Sequence, residues 1–339
     1  MKRTFILVAI ALLAVGAVFA EEAVLIDFSK LAADIRPNQD NVPQDNRATM
    51  MDYSSVAGAS YTADQKAVMK TSLALGNWDV VLASSSRSVT NQAKSYTLGA
   101  DSKKYGKVLG VRVHFPLESF NSWARIQPPF SIPAFEPQSQ VADDGTVQPP
   151  TAEERANKTT RFENGLGVVK NVGVIKSVAV NVYGLNFPHA LSAILVDADG
   201  AETPIFMGYL NYDGWGELRW DNPNYVTEVR NRELRIYPLY PKATPFVKFG
   251  GFLIQRDATN EGGDFITYFK DVKVIYDLAV IDSDRDIEDE GLWNIVKDRE
   301  NARKNAEMNR FGDAQVNRYL EQQKKASETS FTPSPEAGK

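Results

Sequence analysis

Two histidines, 43 carboxylates and a few aromatic-rich stretches carry whatever chemistry this chain can do. His114 lies in VRVHF and His189 in NFPHA, 75 residues apart. A Ser/His/Asp triad needs its serine on a sharp strand-to-helix turn, and no G-x-S-x-G is present. A zinc site needs ligands at short spacing, and no H-x-x-x-H occurs. Cysteine is absent, which excludes thiol catalysis and thiolate metal sites. Both histidines are therefore expected to be packing residues.

The carboxylates do no better. Asp282-Ser283-Asp284-Arg285-Asp286-Ile287-Glu288 starts like a calcium loop, yet Ile287 stands where glycine is needed and Trp293 where glutamate is needed. These acids are better placed as an N-cap and first-turn charges of a C-terminal helix. A structural calcium ion held elsewhere, for example by Asp197 and Asp199, stays open. Glycoside hydrolysis needs two acids fixed across a cleft, and no pair stands out. Phosphate-binding glycine loops are missing too. No catalytic, cofactor or metal-binding residue is assigned, and the chain is expected not to be an enzyme.

What remains is aromatic surface. FNSWARIQPPFSIPAF, residues 120–135, contains Trp123, Phe130 and Phe135, with prolines at 128, 129 and 133. Proline cannot donate to a ladder, so this stretch is expected at a sheet edge or in an extended loop. GYLNYDGWGELRWDNPNY, residues 208–225, contains Tyr212, Trp215 and Trp220. Trp215 sits between glycines in a turn context, where a ring projects rather than packs. Such rings either stack on sugars or anchor a protein interface, and core filling competes with both. With Trp293 and Phe311 of the C-terminal segment, these eight residues make up the expected interaction surface: Trp123, Phe130, Phe135, Tyr212, Trp215, Trp220, Trp293 and Phe311.

The elements that must position them are mostly strands. Val178, Val180 and Val182 alternate with Ala179 and Asn181, the period of a half-buried strand. Similar runs cover 108–115, 193–197, 234–239, 246–256 and 265–276, with turn signals at Asp199-Gly200, Asp213-Gly214 and Gly262-Gly263. Many strands without helical patterns between them predict an antiparallel sandwich. Residues 136–164 are polar and contain proline, the composition of a long surface insertion. A linker between two domains is the competing reading, but each half alone offers too few strands to close a sandwich. Residues 283–325 favour helix, with sparse apolar pairs such as Leu292 and Val296, and 326–339 reads as a disordered tail. This helix docks either on its own domain or on a neighbouring subunit.

At the front, Lys2 and Arg3 precede an apolar run ending in Val18-Phe19-Ala20, the pattern of a secretory signal peptide over residues 1–20. Its removal takes the formal charge from −5 to −7, which argues against a nucleic-acid partner. No later run is apolar for long enough to span a bilayer, so no membrane insertion is expected after cleavage. The sandwich is expected over 21–282.

VLGVRVHFPLESFNSWARIQPPFSIPAF, GLGVVKNVGVIKSVAVNVYGLNFPHALSAIL, FMGYLNYDGWGELRWDNPNYVTEVRNRELRIYPLYP and EGGDFITYFKDVKVIYDLAV closely resemble the spirochaete flagellar filament outer-layer, or FlaA sheath, family. The resemblance covers nearly all of residues 21–282 and extends to the signal peptide. It implies a structural sheath subunit of the periplasmic flagellum, assembling around a flagellin core with other copies of itself or related sheath proteins. It implies a periplasmic location and a contribution to filament stiffness and motility. The sandwich also resembles galactose-binding-like jelly rolls, which leaves a second expectation: a carbohydrate-binding module recognising glycans on the core.

Overall fold

The computed structural model describes residues 21–32, 49, 51–52, 61–63, 66, 70–130, 167–170, 172–225, 236–238, 240–242, 245–282, 286–299, 301–302, 317 and 320. The expected signal peptide, the 136–164 insertion, the 326–339 tail, Phe135 and Phe311 lie outside the described residues.

The strands, in chain order, are β1 Glu21–Asp27, β2 Met51–Asp52, β3 Lys70–Thr71, β4 Asp79–Leu82, β5 Tyr96–Ser102 and β6 Gly106–Phe115. Next come β7 Ser122–Gln127, β8 Val168–Lys170, β9 Val172–Leu185, β10 Ala190–Asp197 and β11 Glu202–Tyr209. The rest are β12 Asp213–Asp221, β13 Ile236–Pro238, β14 Phe246–Arg256, β15 Gly263–Leu278 and β16 Val280–Asp282. A short helix, α1, spans Val89–Lys94 between β4 and β5, capped by the Ser88 side chain.

Two antiparallel six-stranded sheets form a jelly-roll sandwich, as the alternation predicts. The first has the order β12-β9-β15-β6-β5, with β1 also pairing β15; the second has β11-β10-β14-β7-β4, with β8 pairing β14. The chain changes sheet between β4 and β5, β6 and β7, β8 and β9, β9 and β10, β11 and β12, and β14 and β15. Because side chains alternate across a strand, each sheet sorts its residues by parity. Val178, Val180 and Val182 of β9 point inward with no exposure, while Ala179, Asn181 and Tyr183 take the solvent side. The inner faces meet at Phe252 and Phe269, whose rings stack with centroids 3.9 Å apart. Phe28, Trp78 and Phe249 extend that contact through tilted and edge-on rings. Each such side chain contributes roughly 1.5–3 kcal/mol by leaving water.

One end of the sandwich is closed by a buried cation. Arg256, 2% exposed, donates Nη1 to Pro116 O, Nη2 to Glu118 O at 2.8 Å and Nε to Asn260 O at 3.0 Å. The guanidinium thus pins the β6–β7 and β14–β15 loops together. Backbone carbonyls satisfy it where no carboxylate is needed.

The structure corrects two local expectations. Ser122–Gln127 is neither a loop nor an edge: β7 lies between β4 and β14, hydrogen-bonded on both sides. Its prolines at 128 and 129 fall just after the strand, so the ladder needs no N–H from them. At the C-terminus the described helix is short. α2, Asp289–Trp293, ends at Asn294 in the left-handed region with φ 51°, and residues 295–299 then resume a helix. The expected acidic N-cap is not made, since Glu288 at that position has no side-chain capping bond. Glu290 instead caps the following stretch: its carboxylate oxygens accept from the N–H groups of Val296 and Lys297, each at 3.0 Å. No described helix is long and apolar enough to cross a membrane.

Candidate functional site

The most organised solvent-facing chemistry lies on the outer face of the first sheet. Registers place Leu98 opposite Gly110, Gly110 opposite Tyr268, Tyr268 opposite Tyr183, and Tyr183 opposite Trp215. These five positions form one row across β5, β6, β15, β9 and β12. Four of them carry large apolar or aromatic side chains on the side away from the core. Gly110 is the exception for a steric reason: a Cβ there would stand 3.2 Å from a Leu98 methyl and 3.3 Å from the Tyr268 ring. Its bare backbone lets the two flanking side chains lean over it.

The rings of the row interlock edge to face. Tyr183 meets Trp215 at 5.4 Å and 80°, and Tyr268 at 5.9 Å and 80°. Tyr105 joins from the β5–β6 turn, 4.9 Å from Trp215 at 86°. To reach Trp215 on β12, the turn must bend over β15 and β9. The pairings permit this, because the β6–β15 ladder ends at Leu109 opposite Phe269, and β1 pairs β15 from Asp271 onward. The turn is tied by Ser102 Oγ, which accepts from the N–H groups of Lys104 and Tyr105, and by Gly106 at φ +73°. That backbone region favours glycine. Lys103 and Lys104 are exposed at the tip, with Lys104 Nζ 4.8 Å over the Tyr105 ring.

Charged groups flank the row on both sides. On one, Asp264 accepts from Arg112 Nε at 3.2 Å and Nη2 at 2.9 Å, and lies 2.8 Å from His114 Nδ1. The Arg112 hydrogen bonds, then that of His114, pull the Asp264 carboxyl down to about 2. On the other side, Asp271 is 4% exposed and accepts from Asn181 Nδ2 at 2.8 Å and Lys270 Nζ at 2.7 Å. Lys270 also contacts Asp27 at 3.3 Å. Burial works against the Lys270 charge, but its bonds to Asp271 and Asp27 outweigh that and raise its pKa. The buried carboxylate is thus spent inside the protein. What the face offers a partner is its rings.

Of the six expected surface residues that are described, the structure brings only Trp215 into this site, and for a different reason from the one expected. Trp215 lies within a strand, not a turn, and its ring packs sideways on the solvent face. The flanking Gly214 and Gly216 have inward parity. Gly216 makes room for Tyr212, whose ring would lie 2.9 Å from a Cβ there. Tyr212 is therefore a half-buried plug at the sandwich edge, donating its hydroxyl to Val182 O at 3.2 Å. Burial raises its pKa to about 12. Trp220, opposite Val178, also faces inward and packs against the core. Phe130 is 1% exposed and belongs to the core, so it is no surface residue. Trp123 is 41% exposed, but on the outer face of the second sheet. Trp293 is 67% exposed on α2.

Tyr105, Tyr183 and Tyr268 were not anticipated from the sequence. Tyr183 was detectable: it falls at a solvent-side position of the β9 valine alternation, where a large ring has no core to fill. His189 is buried as expected, between Phe115, Phe187 and Phe265. Asp197 spends Oδ1 on the N–H groups of Asp199 and Ala201 in the β10–β11 turn. No group of three metal-ligating side chains occurs among the described residues.

Comparison with known proteins gives this geometry a family. Among solved structures, the carbohydrate-binding module TmCBM61 in complex with β-1,4-galactotriose aligns with a TM-score of 0.27 at 7% identity, covering 59% of this chain and 88% of that one. Sequence relatives are far closer. The flagellar filament outer layer protein of Treponema pallidum (strain Nichols) is 52% identical, covering 98% of this chain and 97% of its own. That of Spirochaeta aurantia is 46% identical, covering 98% and 95%. The profile described as flagellar filament outer layer protein Flaa matches residues 43–285, so the chain belongs to the FlaA family of flagellar filament outer layer proteins.

Proposed function

We propose that this chain is a structural sheath subunit of the periplasmic flagellum. It is exported through its N-terminal signal peptide and assembles around a core of flagellin subunits together with other copies of itself, contributing to filament stiffness and motility. Its role is contact, not catalysis. The observation that supports this reading is the open row Leu98–Tyr268–Tyr183–Trp215 across five strands. Its rings are half-buried and Leu98 is exposed, and a contiguous row of aromatic side chains on a solvent face suits an interaction surface. Neighbouring rings stand near 80° to one another, so they form a knobbed surface suited to side chains rather than a flat stacking platform for sugar. Cosedimentation with purified filament cores tests the reading: the protein should pellet with cores, and a chain that stays in the supernatant at every concentration overturns it.

One observation favours the glycan reading as a second possibility for the same layer. On the outer face of the second sheet, Trp123 and Tyr209, 41% and 56% exposed, stand at opposite ends of the row Trp123–Gln255–Ala190–Tyr209. Open rings on either side of an amide and a small floor suit a sugar chain. Binding to glycosylated and unglycosylated cores separates the readings, and equal affinity for the two removes the glycan.

A further inference from the structure

The C-terminal elbow carries a second exposed apolar patch. Ile287, Leu292, Trp293 and Ile295 are 56%, 66%, 67% and 41% exposed, all within nine residues. This is not a loose end. Asn294 adopts the left-handed conformation and donates its N–H to Glu290 O at 2.9 Å, closing α2. Glu290 caps the next stretch through two backbone N–H groups. Val296, 2% exposed, anchors that stretch, and Arg299 Nη1 donates to Pro241 O at 3.4 Å. The break therefore holds Leu292 and Trp293 outward at a fixed corner, where an unbroken helix would have carried the chain straight on.

We infer that this elbow docks onto the aromatic row of a second copy of the same chain, a head-to-tail contact within the outer layer. The inference rests on the proposed sheath reading and names the partner of the same site.

Two features select a second copy. The first is charge. At the elbow, exposed Asp286, Glu288 and Asp298 outnumber exposed Lys297 and Arg299, and Arg299 is turned toward Pro241 O. The turn that packs Tyr105 on Trp215 presents Lys103 and Lys104, which form no ion pair among the described residues, while Asp213 and Glu217 flank Trp215 on β12 itself. The outer face of the second sheet is less suited, because its Arg125 is already held by Glu202 in a bidentate pair at 2.9 and 2.7 Å. The second is area. The four residues together expose roughly 500 Å² of surface, backbone included and most of it apolar, which is more than scattered single side chains present. That is over half of the roughly 800 Å² each partner buries in an ordinary stable interface. Elbow and row are different surfaces, so the contact is heterologous and leaves one of each free at the ends of any assembly. Such contacts propagate as an open layer along a filament wherever the rotation between copies does not close a ring.

Complementation in sedimentation velocity tests this on the purified full-length protein. One variant, Leu292→Ala/Trp293→Ala, loses the elbow but keeps the row. A second, Lys103→Glu/Lys104→Glu, alters only exposed turn residues and weakens the row's acceptance of an acidic elbow. The parent protein should self-associate with rising concentration, and each variant alone should associate roughly 30-fold or more weakly. Mixed together they should form a single 1:1 dimer, because the second variant still has an elbow and the first an intact row. Circular dichroism of each variant should match the parent. Undiminished self-association of the elbow variant overturns the inference, as does a mixture with no dimer. An elbow variant that self-associates normally but no longer pellets with cores shows that the elbow faces the core, which also overturns it. Failure of the parent to pellet with cores counts against the sheath reading alone, whatever the self-association shows.

Discussion

Lowering the pH from 7 to 5 should remove about 2 kcal/mol of stability through one side chain, His189. The ring is 3% exposed and lies 4.8 Å from Phe265, 5.1 Å from Phe115 and 5.9 Å from Phe187. Neither of its nitrogens has a hydrogen-bond partner among the described residues. Burial, and then the charge of Arg256, lower its pKa from 6.5 to about 4. A proton therefore binds the unfolded chain before it binds the folded one. The stability that neutral His189 contributes is fully present above pH 6.5 and is lost as the pH falls toward 4, where the loss levels off near 3 kcal/mol. Urea unfolding of the parent and of His189→Leu, from pH 7.5 to 4.5, isolates this contribution, because other titrating groups are common to both. The difference in unfolding free energy should change by about 2 kcal/mol between pH 7 and 5, with the parent losing ground. Parallel curves would refute the reasoning. So would an imidazole NMR titration showing His189 protonated near pH 6.5, a measurement that needs no variant.

Arg256→Met should lower unfolding free energy at pH 7 by about 3 kcal/mol, since the Pro116, Glu118 and Asn260 carbonyls all lose their donor; urea midpoints measure it, and a loss below about 1 kcal/mol contradicts the clamp. Trp215→Ala should stay folded, because its ring lies on the solvent face, yet cost about 2 kcal/mol through two edge-to-face contacts. An insoluble product would show that the ring supports the core. Gly106→Ala should cost about 1 kcal/mol from its φ of +73° and release Tyr105 from Trp215, read as a change in near-ultraviolet circular dichroism.

Parity explains both what was legible in the sequence and what was not. The valines of β9 alternate so regularly that sandwich, strand and buried face could be read directly, and the 246–256 strand matched to the residue. Trp215 and Trp220 show the limit. Five residues apart on one strand, they take opposite faces, one toward solvent and one toward the core. Parity alone separates them only once the strand is recognised, and the glycines around Trp215 concealed it. Gly216 is there because Tyr212 lies across the edge of the sandwich, a contact that no local pattern encodes, while Gly214 answers to its own φ of +101°. Phe130 was misplaced on the surface, and its stretch at a sheet edge, for a related reason, whereas Trp123 is exposed. The prolines after β7 resemble those of an edge strand, whereas only the pairing with β4 and β14 makes it interior.

The sequence by itself determined the sandwich class, the absence of thiol chemistry and, through long shared motifs, the family. Those properties follow from local alternation, composition and contiguous identity, all of which are written along one chain. The tertiary structure decided which rings are available to a partner. The row Leu98–Gly110–Tyr268–Tyr183–Trp215 draws on five strands spread over more than a hundred residues, and its members become neighbours only when hydrogen-bond register aligns them. Register is set by the buried face, because a slip of one residue would turn every core side chain out to water. The inner valines and phenylalanines thus fix where the outer tyrosines stand, and the contact surface is a consequence of the core.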